Sequence, residues 1–148
     1  MWSRQPIALG AGVEFEARVR GTNVPSGAVY AFFTYKPRDF GNDSDQEEID
    51  YEFLGKQPQN QVWLNVWNGA NNSRSTSPTV SGLNRSGWNI YKMRWLNDRV
   101  EWLVNDQLIR TETNIVPDDR MSVCFNMWAA ASGWSNAYDS DLRATSRA

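Results

Sequence analysis

Glu48, Asp50 and Glu52 alternate with Ile49, Tyr51 and Phe53 in the run Glu48-Ile49-Asp50-Tyr51-Glu52-Phe53-Leu54-Gly55. Period two marks a β-strand whose two faces meet different surroundings. The three acids share one face, and Ile49, Tyr51 and Phe53 share the other, which suits a core. Like charges side by side on a strand repel, and an ordinary solvated strand would intersperse Lys or Thr. Paired carboxyl groups have a use on a glycosidic bond, where one attacks and the other protonates the leaving oxygen. A retaining glycosidase needs them about 5–5.5 Å apart. Four strand steps of about 3.3 Å put the Cα atoms of Glu48 and Glu52 roughly 13 Å apart, so the side chains must lean together, as a curved sheet allows. Asp50 lies between them, and its charge would help hold a proton on a neighbour. Taken alone, the run also reads as a solvated acidic strand or as a calcium-binding run.

The elements that position this strand are themselves extended. Residues 13–20 alternate apolar and charged side chains and predict a half-exposed strand. Residues 28–35 are strongly apolar and predict a central strand, with Ala31, Phe33 and Tyr35 on one face and Phe32 and Thr34 on the other. Residues 61–67 put Val62, Leu64 and Val66 on one face and Trp63, Asn65 and Trp67 on the other. Beside the acidic strand in antiparallel register, Asn65 and Trp67 would lie near the acids. A buried Asn needs a hydrogen-bond partner, and a ligand hydroxyl is suitable. Residues 88–95 and 99–104 predict a hairpin around Leu96-Asn97-Asp98, and residues 108–113 follow a turn at Asn105-Asp106. Residues 122–128 predict a strand with Cys124, Asn126 and Trp128 on one face, and Trp134 follows it in a loop. Turns are expected over 21–27, 57–60 and 117–120, a polar loop over 36–47, a long Asn/Ser/Gly-rich loop over 68–87, and an unpatterned tail over 138–148. The Asn-x-Ser sequons at Asn42, Asn71 and Asn84 read as chance in so Asn- and Ser-rich a chain.

Composition excludes several other chemistries. The chain has no histidine, which removes Ser-His-Asp and Cys-His catalysis and every His-based metal site. Cys124 is the single cysteine, so no internal disulfide forms. A formal charge of −2 argues against a nucleic-acid surface. No apolar run is long enough to span a membrane, and Met1-Trp2-Ser3-Arg4 does not read as a signal peptide. Eight Trp in 148 residues is a high count, which calls for an aromatic core, a stacking surface or both. Sugar rings have apolar faces, so a Trp-lined cleft suits a carbohydrate.

The acidic run resembles the active-site strand of glycoside hydrolase family 16. Within that family it is similar to the lichenase and xyloglucan-transglycosylase branches, whose strand carries no bulge between the second and third acid; the laminarinase branch inserts a residue there. The resemblance extends through Ala31-Phe32-Phe33-Thr34-Tyr35, Gly55-Lys56 and Asn126-Met127-Trp128, and weakly from about Arg4 to Trp134. It implies an all-β fold, a two-sheet antiparallel β-sandwich of the concanavalin A-like jelly-roll type. It implies Glu48 as nucleophile, Asp50 as its electrostatic assistant and Glu52 as acid/base. It implies Phe33, Tyr35, Asn65, Trp67, Asn126, Trp128 and Trp134 as substrate-binding residues, and Arg4 more weakly, since its spacing to Glu16 is off by one. Family members often carry Trp two residues before the nucleophile; here Gln46 stands there, so an aromatic sugar platform is lost at that point.

The resemblance further implies a polysaccharide substrate, an extracellular or periplasmic location, no cofactor for catalysis, and a structural calcium for which no ligand set stands out. The expected activity is endo-acting, retaining hydrolysis of a β-glucan, of mixed linkage or related. A transglycosylase with the same acids and a non-catalytic carbohydrate-binding module of the same architecture are the alternatives. Residues 1–148 read as one catalytic domain, shorter than the family's domains, and the expectation is that outer strands are missing at both ends. That predicts open sheet edges and exposed apolar residues on the outer sheet.

Overall fold

The computed structural model describes residues 1–21, 25–36, 45–130 and 134–135. The tail over 138–148, Asn42 and most of the loop expected over 36–47 lie outside the described residues. Among the described residues nine strands make two antiparallel sheets. They are β1 (Val13–Arg20), β2 (Ala28–Lys36), β3 (Glu47–Leu54), β4 (Trp63–Asn68), β5 (Ser73–Thr76), β6 (Trp88–Trp95), β7 (Val100–Val104), β8 (Gln107–Glu112) and β9 (Ser122–Ala129). One sheet has the order β1-β6-β7-β8 and the other β5-β4-β3-β2-β9. The acidic strand β3 is therefore the middle strand of the larger sheet, between β2 and β4. A central strand has every ladder bond made, which suits a strand that must hold three side chains in fixed positions.

Alternation decides what each sheet buries. Ile49, Tyr51 and Phe53 of β3, with Phe32 of β2 and Leu64 and Val66 of β4, pack against Tyr91, Met93, Trp95, Trp102 and Val104 of the smaller sheet. This shared layer is the core of a sandwich. Two polar tips cross it to hold β3. Trp102 donates its indole N–H to the backbone oxygen of Asp50 at 3.0 Å, and the Tyr51 hydroxyl donates to the backbone oxygen of Leu103 at 2.8 Å. Both contacts are buried, so each ties the acidic strand to the opposite sheet at a defined height. Tyr51→Phe leaves the Leu103 carbonyl without this donor and should cost about 1–3 kcal/mol in denaturant unfolding. An unchanged midpoint would show that the hydroxyl fixes nothing.

Three details differ from the sequence pattern. The strand expected over 61–67 begins at Trp63, and Gln61 makes only a single bridge to Thr79. The loop expected over 68–87 contains β5, which pairs with β4 from Trp67↔Ser73 to Leu64↔Thr76. All four residues of β5 are exposed, so the strand carries no apolar alternation to betray it. The chain before β1 lies along the outer edge of β9, through bridges Trp2↔Cys124 and Ile7↔Met121. That edge is thus partly covered. Large apolar side chains stay exposed at Trp88 and Leu108 on the smaller sheet and at Met127 on β9.

Candidate active site

The acid row stands in the ladder of the larger sheet. Glu48 pairs with Tyr35 on β2 and Trp67 on β4; Asp50 pairs with Phe33 and Asn65; Glu52 pairs with Ala31 and Trp63. Antiparallel register puts directly opposite residues on one face. So one surface carries the three acids, flanked by Phe33 and Tyr35 on one side and by Asn65 and Trp67 on the other. Two hollows open on this face and share all three acids. The first, of about 310 Å³, adds Trp2, Ala31, Phe33, Tyr35, Asn126 and Trp128. The second, of about 380 Å³, adds Gln46, Trp63, Asn65, Trp67, Ser73, Ser75 and Trp134. The acids sit where the two meet, so an extended ligand crossing the strands would present its middle to them.

The two ends of the acid row have different surroundings. Beyond Glu52, Trp63, Trp128 and Trp134 pack over Val29, Leu54 and Ala130. Trp134 meets Trp63 edge-on at 5.8 Å and stacks on Trp128 at 6.2 Å between ring centroids. This apolar wall strips water from Glu52. Burial, reinforced by the charge of Glu48, pushes the Glu52 carboxyl up from its ordinary 4.5 to about 8. At the other end, Glu48 receives donors. The Gln46 side-chain amide donates to its Oε2 at 2.9 Å, and Asp50 is hydrogen-bonded to it from within the row. Asp50 is itself held far above the usual carboxylate range by burial, then by the charges of Glu48 and Glu52. The row therefore stores protons on Asp50 and Glu52 and gathers its donors around Glu48. A carboxyl held protonated beside a carboxylate that accepts hydrogen bonds is the pattern of an acid and a nucleophile.

Most residues singled out by sequence are brought together here: Phe33, Tyr35, Asn65, Trp67, Asn126, Trp128 and Trp134 all line the two hollows. Asn65 points a buried Oδ1 without a protein partner. Arg4 is the correction. It is exposed and lines neither hollow, because the chain bends at Arg4 and Gln5 between the Trp2 and Ile7 bridges. From that segment it is Trp2 that enters the site, edge-on to Phe33 and Tyr35. Sequence reasoning also passed over Trp63, Ser73, Ser75 and Gln46. Trp63 shares its face with Asn65 and Trp67, so alternation alone could have assigned it. The Cys124 thiol lies buried beneath the first hollow beside Ala31 and Phe33, and burial pushes it up to about 11. Among the described residues no group of three or more Cys, Asp or Glu side chains converges as metal ligands. No helix among them is long and apolar enough to cross a membrane.

Residues 3–144 match the family model described as glycosyl hydrolases family 16. The chain belongs to that family. A beta-glucanase of Brevibacillus brevis is 28% identical over 129 residues, covering 86% of this chain and 49% of the relative. A beta-glucanase of Bacillus subtilis is 30% identical over 139 residues, covering 93% of this chain and 55% of the relative. The solved structure of a Bacillus licheniformis beta-glucanase superposes with a TM-score of 0.74 at 28% identity, over 94% of this chain and 63% of that one. The chain thus spans about half the length of the relatives it matches. Within the family 16 domain, the two-sheet sandwich and the central acidic strand are as the motif implied.

Proposed function

We propose that this family 16 domain is an endo-acting, retaining β-glucan hydrolase that cleaves internal bonds of a mixed-linkage β-1,3-1,4-glucan or a related β-glucan. The observation that carries the reading is the asymmetry of one strand: Glu52 holds a proton up to about pH 8 against a tryptophan wall, while Glu48 sits among donors. A carbohydrate-binding module has no use for such a pair. The beta-glucanase names of relatives at 28–30% identity support the substrate class.

In the reaction, a carboxylate oxygen of Glu48 forms a bond to the anomeric carbon as the bond to the leaving oxygen breaks. Glu52 gives its proton to that oxygen, and the departing sugar leaves as an alcohol. Loss of the proton leaves Glu52 anionic. It then takes a proton from a water whose oxygen attacks the anomeric carbon, which releases Glu48 and restores the acid. Asp50 works through its hydrogen bond to Glu48. Trp67, Trp128, Trp63 and Trp134 offer faces to sugar rings, and the unpartnered Asn65 Oδ1 accepts from a sugar hydroxyl. No cofactor takes part. An extracellular or periplasmic site of action belongs to the same proposal, since the polymer does not enter cells.

Two inversions at one carbon give net retention. Proton NMR of β-glucan digestion should therefore show the β-anomer of the new reducing end first, with α appearing only by mutarotation. An initial α-anomer would exclude the double displacement. Reducing-sugar release from a panel of β-glucans, in the presence and absence of an acceptor oligosaccharide, identifies the polymer and separates hydrolysis from transfer.

A further inference from the structure

Gln46 precedes β3 and is almost wholly buried, 7% exposed, at the Glu48 end of the acid row. Its place is fixed from two sides. Its backbone oxygen accepts from the Gly69 N–H at 2.7 Å, in the turn after β4, and its side-chain amide donates to Glu48 Oε2 at 2.9 Å. We propose that Gln46 is a positioning residue for the attacking carboxylate, orienting Glu48 and supporting its negative charge through a neutral side-chain amide.

The neutrality of the donor matters. Glu48 is half-buried, and a carboxylate oxygen that loses a donor in such a site regains only part of the lost stabilisation from water. A Lys or Arg there would support the anion, but its charge would also draw protons off Asp50 and Glu52, which the acid step needs. An amide supports Glu48 and leaves its neighbours protonated. The charged and titratable groups facing Glu48 among the described residues are consistent with that division. Asp50 and Glu52 stand on its own strand, and Tyr35 faces it from β2. Trp67 faces it from β4 and brings no charge. From β9 the Cys124 thiol lies within electrostatic reach, and the Met1 amino group acts on the same thiol. No Lys or Arg among the described residues lines either hollow. Glu47, the next residue, takes no part: its Oε2 accepts from the backbone N–H groups of Asp118 and Asp119 at 2.9 and 3.0 Å.

The kinetic half of the test rests on the retaining mechanism proposed above; the titration half does not. Gln46→Leu keeps the volume and removes the donor. A hydrogen bond to a charged group of this kind is worth about ten- to a hundredfold. In the 148-residue protein, kcat on β-glucan should fall by that factor with KM changed less than about threefold, and the acid limb of kcat/KM should move up by about one pH unit. Carbon-13 titration of the Glu48 carboxyl, assigned by its loss in Glu48→Gln, should shift up by the same amount. Gln46→Glu offers a donor only when protonated, so its activity relative to Gln46→Leu should rise as pH falls. An unmoved Glu48 titration, or a loss confined to KM, overturns the proposal. If the titration moves but the wild-type protein cleaves no β-glucan, the hydrolase reading fails while the role of Gln46 on the carboxylate stands.

Discussion

Glu48→Gln will lower β-glucan cleavage by about four orders of magnitude or more, with the sandwich intact. The amide oxygen is a poor nucleophile and gives no stable glycosyl ester, so the first half-reaction has no attacking group. The fold should survive because Gln has nearly the same shape and removes one of three crowded charges. Two further consequences distinguish loss of the nucleophile from general damage. The charge of Glu48 helps raise the Glu52 carboxyl, so in the variant Glu52 should titrate below about 8. Asp50→Asn should cost less than Glu48→Gln, because Asp50 acts through its hydrogen bond to Glu48 rather than on the sugar. Reducing-sugar assays with circular dichroism as the fold control decide it. Wild-type turnover in Glu48→Gln would remove Glu48 from the mechanism, whatever the other acids do.

The acid row was legible because alternation is a strong signal over a strand with one acidic and one apolar face. Ile49, Tyr51 and Phe53 are fully buried, and the residues paired with Glu48, Asp50 and Glu52 on β2 and β4 are those whose parity matches. Three kinds of residue escaped. Ser73 and Ser75 lie on an edge strand with no buried face, so the sequence around them looks like a loop. Trp2 reaches the site only because its segment bridges β9 more than a hundred residues later, and no local pattern encodes a contact at that separation. Gln46 is a third case. Compared with a family motif it marks a lost aromatic, whereas its chemistry depends on the side chain turning onto Glu48, which only the structure shows. Arg4 is the opposite case: only the resemblance suggested it, with its spacing to Glu16 off by one, and a bend in the chain leaves it exposed and outside both hollows.

Glu52→Gln should make the protein inactive and, at pH 8, more stable. The sign follows from where the proton is bound. The Glu52 carboxyl titrates near its ordinary 4.5 in the unfolded chain and at about 8 in the folded one. Between those values the folded state binds a proton that the unfolded state has lost, so stability is greatest below pH 4.5 and declines as pH rises through about 8. The cause is the same tryptophan wall that keeps the acid ready to donate. Glutamine has no proton to lose, so the variant is spared this decline. At pH 8 it should gain a few kcal/mol over wild type, or roughly 5 °C or more in Tm, and near pH 4.5 the difference should vanish. Asp50 and Glu47 are also raised by burial, but they are present in both proteins and largely cancel in the comparison. The wild-type activity profile should share the upper boundary, with kcat/KM falling as pH passes about 8 because the free enzyme then lacks its acid. Thermal unfolding of both proteins at several pH values measures the first effect and initial rates the second. A stability difference independent of pH, or a variant less stable at pH 8, would mean that Glu52 is not held protonated by the fold, and its assignment as the acid would lose its physical basis.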